Sequence, residues 1–296
     1  MGDLHGCLDE LRELVKLVEY RPGKDRLVLI GDLVDRGPYP VETVRWAMRH
    51  GVSSVKGNHE ANLVDFRRRE AIALAGGPPN GKRRPYPKRM DEWMAFTADE
   101  LSWMDKLPLW VDLGGDWLAV HAGFEPKPLA EQKEDRVLRI RWVDEKTGEY
   151  VGMKKVPVPE SAETVVAHGN SDPARAQTPE AIAKRERRQR ERIAKGLPAV
   201  VEQKRRPKKY NTTYEQPGHS KAWQEVWPGP QKVIYGHAAN KGMPRVDGLP
   251  PGTIGVDTGC VYGYKLTAAI LVDGEFREFA QVQAREEYYP WPTDGE

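Results

Sequence analysis

The chain has 296 residues, 39% hydrophobic and 30% charged, enough for one large globular domain or two small ones, which excludes a wholly disordered protein. Its apolar runs, such as 27–30 and 268–272, are far too short to cross a bilayer, and Asp3, His5 and Asp9 stand where a signal peptide needs an apolar stretch, so the chain reads as soluble and cytoplasmic. The net charge is +2, yet residues 181–209 hold twelve Lys or Arg against three Glu, which points to an anionic partner, nucleic acid included, or to a solvated arm.

The first third alternates element types: an amphipathic helix over 8–18, an apolar strand at 26–30, a helix at 41–49, a short strand at 52–55 and a helix from about residue 60. That alternation argues for an α/β fold with parallel pairing. Thr97 with Glu100 three places on is a capping box that opens a helix ending near Lys106. Residues 109–113 and 117–121 flank Gly114-Gly115-Asp116 and read as a hairpin. Strands follow at 232–235, 253–256, 266–272 and 275–283, the last two joined at Asp273-Gly274. Between about 145 and 230 the chain turns Pro-rich and charged, which reads as an insertion into one domain spanning 1–296, with one exposed helix and much loop. Cys7 and Cys260 offer no cysteine cluster and read as small buried hydrophobes in a reducing compartment.

Four segments share one pattern, in which an apolar strand runs straight into a loop of metal-ligand side chains. Residues 26–30 lead into Gly31-Asp32-Leu33-Val34-Asp35-Arg36-Gly37, and 52–55 lead into Gly57-Asn58-His59-Glu60. Residues 117–120 lead into His121-Ala122-Gly123, and 232–235 into Gly236-His237-Ala238. A fifth set, Gly2-Asp3-Leu4-His5-Gly6, opens the chain. Residues just past the carboxyl ends of strands are where α/β proteins gather their sites. Asp, Asn and His together offer oxygen and nitrogen donors suited to Mn, Fe or Zn. Singly, these residues are equally those of turns, caps and core histidines, and His50, His168 and His219, which lack the pattern, read as structural or solvent-facing.

In this order GDLHG, GDLVDRG, GNHE, HAG and GH resemble the signature of the calcineurin-like metallophosphoesterases, in the phosphoprotein-phosphatase branch that includes the symmetrical diadenosine tetraphosphatases. The resemblance covers about residues 2–123 and 232–272. It implies two packed mixed β-sheets flanked by helices, an αββα sandwich. It implies two divalent cations, manganese first with iron or zinc as alternatives, that activate water for attack on phosphorus. Asp3 and His5 would hold the first cation, Asp32 both, and Asn58, His121 and His237 the second. His59 would protonate the leaving oxygen, oriented by Asp35, and Arg36 would clamp the phosphate. A second arginine is expected after HAG, where Arg139 and Arg141 are the candidates and Arg141 is preferred.

In such a fold a central strand feeds the Asp3 loop, and here only Met1 and Gly2 precede Asp3. Either the start shown is trimmed from a longer protein or the first core strand is missing, and the second case is expected to weaken the fold and first-metal binding.

The Trp-Ser-Asp-Pro and Ser-Ala-Pro-Asn-Tyr segments of the protein phosphatases are absent, and residues 255–268 (GVDTGCVYGYKLTA) resemble instead the matching segment of diadenosine-tetraphosphatase-like and RNA-end-healing phosphatases. The resemblance thus implies a hydrolase of phosphate esters or anhydrides, with a nucleoside polyphosphate of the diadenosine tetraphosphate type as first substrate. The alternatives are a serine/threonine protein phosphatase and a phosphatase of RNA ends or polyphosphate. A dead fold used only for binding is disfavoured by the retained ligands. Arg67-Arg68-Arg69 and Lys82-Arg83-Arg84, with Lys88 and Arg89, either rim the cleft for a chain of phosphates or form a solvated face.

Overall fold

A computed structural model describes residues 1–81, 87–152, 154–157, 212–247 and 252–291. The basic stretch 181–209, Lys82 to Arg84, His168 and the helix expected within the insertion lie outside the described residues. Met1–Met153 and Gln216–Tyr289 form one compact unit. A second unit comprises Lys154–Glu215 and Pro290–Glu296.

In chain order the helices are α1 (Leu8–Leu17), α2 (Pro40–Arg49), α3 (Asn58–Leu74), α4 (Pro87–Met94), α5 (Ala98–Asp105), α6 (Glu134–Val137) and α7 (Trp223–Val226). The strands are β1 (Val28–Leu29), β2 (Ser53–Ser54), β3 (Trp110–Gly114), β4 (Trp117–Val120), β5 (Trp142–Asp144), β6 (Tyr150–Val151), β7 (Lys154–Pro157), β8 (Thr212–Glu215), β9 (Ser220–Ala222), β10 (Lys232–Tyr235), β11 (Arg245–Asp247), β12 (Thr253–Gly255), β13 (Lys265–Val272) and β14 (Glu275–Gln283). In the second unit β7 and β8 pair antiparallel.

The first unit is built on a mixed five-stranded sheet in the order β11-β12-β10-β4-β3, with β4, β10 and β12 parallel. Because side chains alternate along a strand, this sheet has two apolar faces. Trp117, Ala119, Ile234 and Ile254 point to one side, where they meet Val28, Ile30 and Val55 of β1, β2 and their extensions. Leu118, Val120, Val233 and Tyr235 point to the other, where Phe124, Val137, Ile140, Trp223 and Trp227 cover them. β1 pairs parallel with β2, β13 pairs antiparallel with β14, and Leu8, Leu11 and Leu14 of α1 are buried beside the β13-β14 hairpin. The result is a mixed α/β unit of several sheets flanked by helices, with the β1-β2 pair packed against one face of the five-stranded sheet.

Met1 and Gly2 join the β1 and β13 pairs. The Met1 ammonium donates to Val28 O (2.8 Å), Ile30 N donates to Met1 O (3.0 Å), and Gly2 N donates to Thr267 O (2.9 Å). These bonds seat Met1 and Gly2 between β1 and β13, and Asp3 follows directly from them.

The stretch expected as an insertion sends both ends into the first unit. β6 and β9 flank β5, and Trp223 and Trp227 are buried in the core. α3 starts two residues earlier than expected because the Glu60 carboxylate reaches back to the Gly57 N–H (2.9 Å) and closes the first turn.

Candidate metal centre

The parallel register of β4, β10 and β12 brings their carboxyl ends side by side, so His121, His237 and Asp257 leave the sheet next to one another. The β1-β2 pair does the same for Asp32 and Asn58. Five of the residues gathered here hold a left-handed backbone that side chains disfavour: His5 (φ 43°), Asp32 (φ 50°), Asp35 (φ 67°), Arg36 (φ 66°) and His237 (φ 65°). Such strain persists where the surrounding structure over-determines it, and it marks functional sites. Two glycines permit the close approach: a Cβ at Gly236 would fall 2.1 Å from Asp3 Oδ1, and one at Gly57 would fall 2.3 Å from Asp32 Oδ1.

Asp32 is buried at the centre, with Oδ2 3.5 Å from His5 Nε2 and Oδ1 3.5 Å from His121 Nε2. Two groups of donor atoms converge on it, His5-Asp32-His59 and Asp32-His121-His237, and within each group all donors lie within 4.8 Å of one another. Asn58 Oδ1 lies 2.9 Å from His121 Nε2 and 3.0 Å from His237 Nδ1. Both Asp3 carboxylate oxygens accept from the His237 backbone N–H (3.2 and 3.1 Å). Asp3, His5, Asp32, Asn58, His121 and His237 therefore meet in one place.

The hydrogen bonds indicate what this cluster fits. His121 Nδ1 faces the Ile30 carbonyl at 2.8 Å and His5 Nδ1 faces the Val34 carbonyl at 2.9 Å, so each must donate from Nδ1. Burial holds both imidazoles below their usual range, which keeps them neutral and leaves a lone pair on Nε2. The His121 lone pair points at Asn58 Oδ1, also an acceptor, while the His5 lone pair lies 3.5 Å from Asp32 Oδ2 and accepts from Arg36 (3.0 Å). Acceptors that face each other inside a protein fit a cation between them, and a set of carboxylate, amide and imidazole donors suits a divalent ion of the manganese, iron or zinc kind.

Electrostatics agree. Burial, with Asp257 and Asp32 close by, pushes the Asp3 carboxyl well up. Burial would also raise Asp32, but its surroundings, His121, His59 and His5 beside it and the His59 backbone N–H donating to Oδ1 (3.0 Å), hold it below the usual carboxylate range. Burial drives His237 down, helped by Arg141.

His59 sits one residue past Asn58 but turns its Nδ1 to the Asp35 carboxylate, to which it is hydrogen-bonded, and leaves Nε2 3.9 Å from Asp32 Oδ2. Asp35 is held from three further directions. Arg89 donates from Nε (2.8 Å) and Nη2, Trp93 Nε1 donates at 2.6 Å, and Glu92 accepts the Asp35 backbone N–H at 3.1 Å. Burial would raise Asp35, yet His59, Arg89 and Trp93 bring it down to about 2.

Arg36 donates to His5 Nε2 (3.0 Å) and to the Tyr262 hydroxyl (2.6 Å), with its guanidinium 5.6 Å from the Tyr262 ring centre. Arg141 is brought to the same cluster and donates to the His237 carbonyl (3.2 Å). Arg139 is not: it donates to Asn62 (2.9 Å) and lines a neighbouring cavity with Lys56, Arg68 and Glu134. Arg67 donates to the Trp93 and Phe96 carbonyls, while Arg68 and Arg69 pair with Asp105 and Asp65.

Several further residues shape the site from outside the expected ligand set. Glu60 is buried and accepts N–H bonds from Gly57, Asp32 and Leu33, which ties the loop of Asp32 to the start of α3; burial, with Asp32 adding, pushes it up to about 8. Asp257 ends a strand just as Asp32 does, so the pattern that found the others points to it too; burial raises it to about 6. Arg89 was expected as a cation at the cleft rim or on a solvated face, but its pairing with Asp35, and that of Trp93, carried no local signal, because Asp35 is 54 and 58 positions away.

A family model for calcineurin-like phosphoesterases matches residues 1–253. The chain is 30% identical over 303 residues to a symmetrical bis(5'-nucleosyl)-tetraphosphatase of Aromatoleum aromaticum, an alignment that covers 96% of each chain. It is 36% identical over 146 residues to that of Methylococcus capsulatus, 48% of this chain and 49% of the relative. A crystal structure of a candidate diadenosine tetraphosphatase superposes over 96% of this chain and 91% of that one with a TM-score of 0.58 at 24% identity, a likeness of fold.

Proposed function

The chain belongs to the calcineurin-like phosphoesterase family, and within it we propose a hydrolase that cleaves a phosphoric anhydride in a nucleoside polyphosphate of the diadenosine tetraphosphate type. Membership makes the protein a metal-dependent hydrolase of phosphate esters or anhydrides. The observation that carries the site is the position of Asp32 between His5 and His121, one nitrogen near each carboxylate oxygen.

Asp3, His5 and Asp32 would hold one divalent ion, and Asp32, Asn58, His121 and His237 the other, manganese being our first choice and iron or zinc the alternatives. When bound, the ions supply Lewis acidity and lower the pKa of water. Arg36, fixed by Tyr262, and Arg141, fixed by the His237 carbonyl, present guanidinium groups to phosphoryl oxygens. Asp35 accepts from His59 Nδ1 and orients the ring, so that Nε2–H of the imidazolium faces the cluster and gives its proton to the departing phosphate oxygen, leaving the neutral Nδ1–H ring. Asp257 and Glu60 fix neighbouring loops.

The substrate reading rests on a relative named a symmetrical tetraphosphatase that aligns over 96% of the chain, together with residues 255–268. Residues 181–209 are proposed to recruit the polyanion, with nucleic acid as a further partner. No helix among the described residues is long and apolar enough to cross a membrane. The two buried thiols carry no disulfide, and we place the protein in the cytoplasm.

Chromatography of products from diadenosine tetraphosphate with manganese tests the proposal. Nucleoside diphosphate as the sole product is expected. Phosphate release from a phosphopeptide or a phosphorylated RNA end, with diadenosine tetraphosphate untouched, would move the assignment to another substrate class.

A further inference from the structure

Cys7, Glu10 and Cys260 lie outside the residues assigned so far, and the fold brings them together from opposite ends of the chain. All three are buried, at 0%, 0% and 2% exposure, and their two sulfurs and one carboxylate oxygen lie within 4.8 Å of one another. Glu10 is held by one oxygen only: Oε1 accepts the Tyr288 hydroxyl (2.6 Å) and the Arg285 backbone N–H (3.0 Å). Oε2 is sealed from water with no hydrogen-bond partner. The nearby cation does not relieve it, because the Arg285 guanidinium turns instead to Asp9 (2.5 Å) and Glu13 (3.7 Å).

A buried carboxylate oxygen without a donor is costly, and here its neighbours are two thiols. A metal ion among the three would satisfy all of them. Two sulfurs and one oxygen are a soft-to-borderline set that selects zinc or cadmium over manganese or magnesium, in contrast to the oxygen and nitrogen donors around Asp32. The bonds to Oε1 are what a ligating carboxylate needs to aim its other oxygen.

We propose that Cys7, Glu10 and Cys260 form a third, structural metal site for zinc. Cys7 precedes α1 and follows His5 by two positions, and Cys260 follows Asp257 by three, so the ion ties the Asp3-His5 loop to the Asp257 loop. Zinc enters with release of the two thiol protons. The site is independent of the substrate reading, and its test does not depend on activity.

Cadmium titrated into the reduced, manganese-loaded protein reports the site through thiolate-to-cadmium charge-transfer absorption. Cys7 and Cys260 are the two cysteines of the chain, so the band has no other source. The expected result is one cadmium equivalent with that band, displaced by zinc, and a higher melting temperature with either ion. Cys260→Ala should lose the band and the added stability. Glu10→Gln, which keeps the shape and the Tyr288 contact, guards against a cysteine variant that fails to fold, and should weaken zinc binding about tenfold or more. No charge-transfer band on the folded protein, or zinc bound equally by the Glu10→Gln variant, would overturn the proposal.

Discussion

His59 Nε2 lies 3.9 Å from Asp32 Oδ2, while the opposite nitrogen of the same ring is bonded to Asp35. One ring thus spans the carboxylate shared by both donor groups and the carboxylate that sets its own tautomer. As an acid, His59 acts on the leaving group; as a ligand, it would hold metal.

These roles separate on substitution. His59→Ala should keep its full metal content and lose about a hundredfold or more in turnover on poor leaving groups, with far less effect on p-nitrophenyl phosphate, whose leaving group needs no proton. Metal analysis beside rates on the two substrates checks it, and a fall in metal content would make His59 a ligand instead.

Asp35 is held down from the ordinary carboxyl value of 3.8 to about 2. A carboxyl depressed by folding contributes stability that is complete above its unfolded value and is lost as pH falls through the folded one, here between about pH 4 and pH 2. The shift corresponds to about 2 kcal/mol, shared among His59, Arg89 and Trp93. Arg89→Ala should therefore destabilise the metal-free protein by about 1 kcal/mol at pH 7, with the gap closing toward pH 2. Urea unfolding across that range measures it, and a gap independent of pH would show that Arg89 acts through packing alone.

Arg141 and Arg139 are two residues apart and face different surroundings. Arg141→Ala should raise KM for a nucleoside polyphosphate about tenfold or more, since a guanidinium bound to phosphate is lost. Arg139→Ala should change it about twofold at most. Equal effects in steady-state kinetics would mean that the substrate extends into the cavity beside Asn62.

If residues 181–209 recruit a polyanion, affinity for a long substrate should fall steeply with added salt while hydrolysis of a small ester barely responds. Matching salt curves would make that segment a solvated arm.

The elements that hold the site were legible wherever apolar strands met polar loops. The strands at 232–235 and 275–283 were readable to the residue, the first because a short apolar run is bounded by polar and turn residues, the second because the Asp273-Gly274 turn opens it. The convergence of Asp3, His5, Asp32, Asn58, His121 and His237 was expected from ordered motifs, each written in a few neighbouring residues. What escaped depends on long-range contact. Nothing near Arg89 announces Asp35, and nothing near Cys7 announces Cys260. Trp223 and Trp227 were passed over because the Pro-rich, charged sequence before them looks like loop, while tertiary packing buries both indoles.

A pair of divalent ions is proposed to sit on either side of Asp32. Anomalous scattering from a manganese-loaded crystal tests it most directly. Two peaks are predicted, one beside Asp32 and His5 and the other beside Asp32, Asn58, His121 and His237, with the second weakened selectively in Asn58→Ala. A single peak, or peaks away from Asp32, would contradict the account.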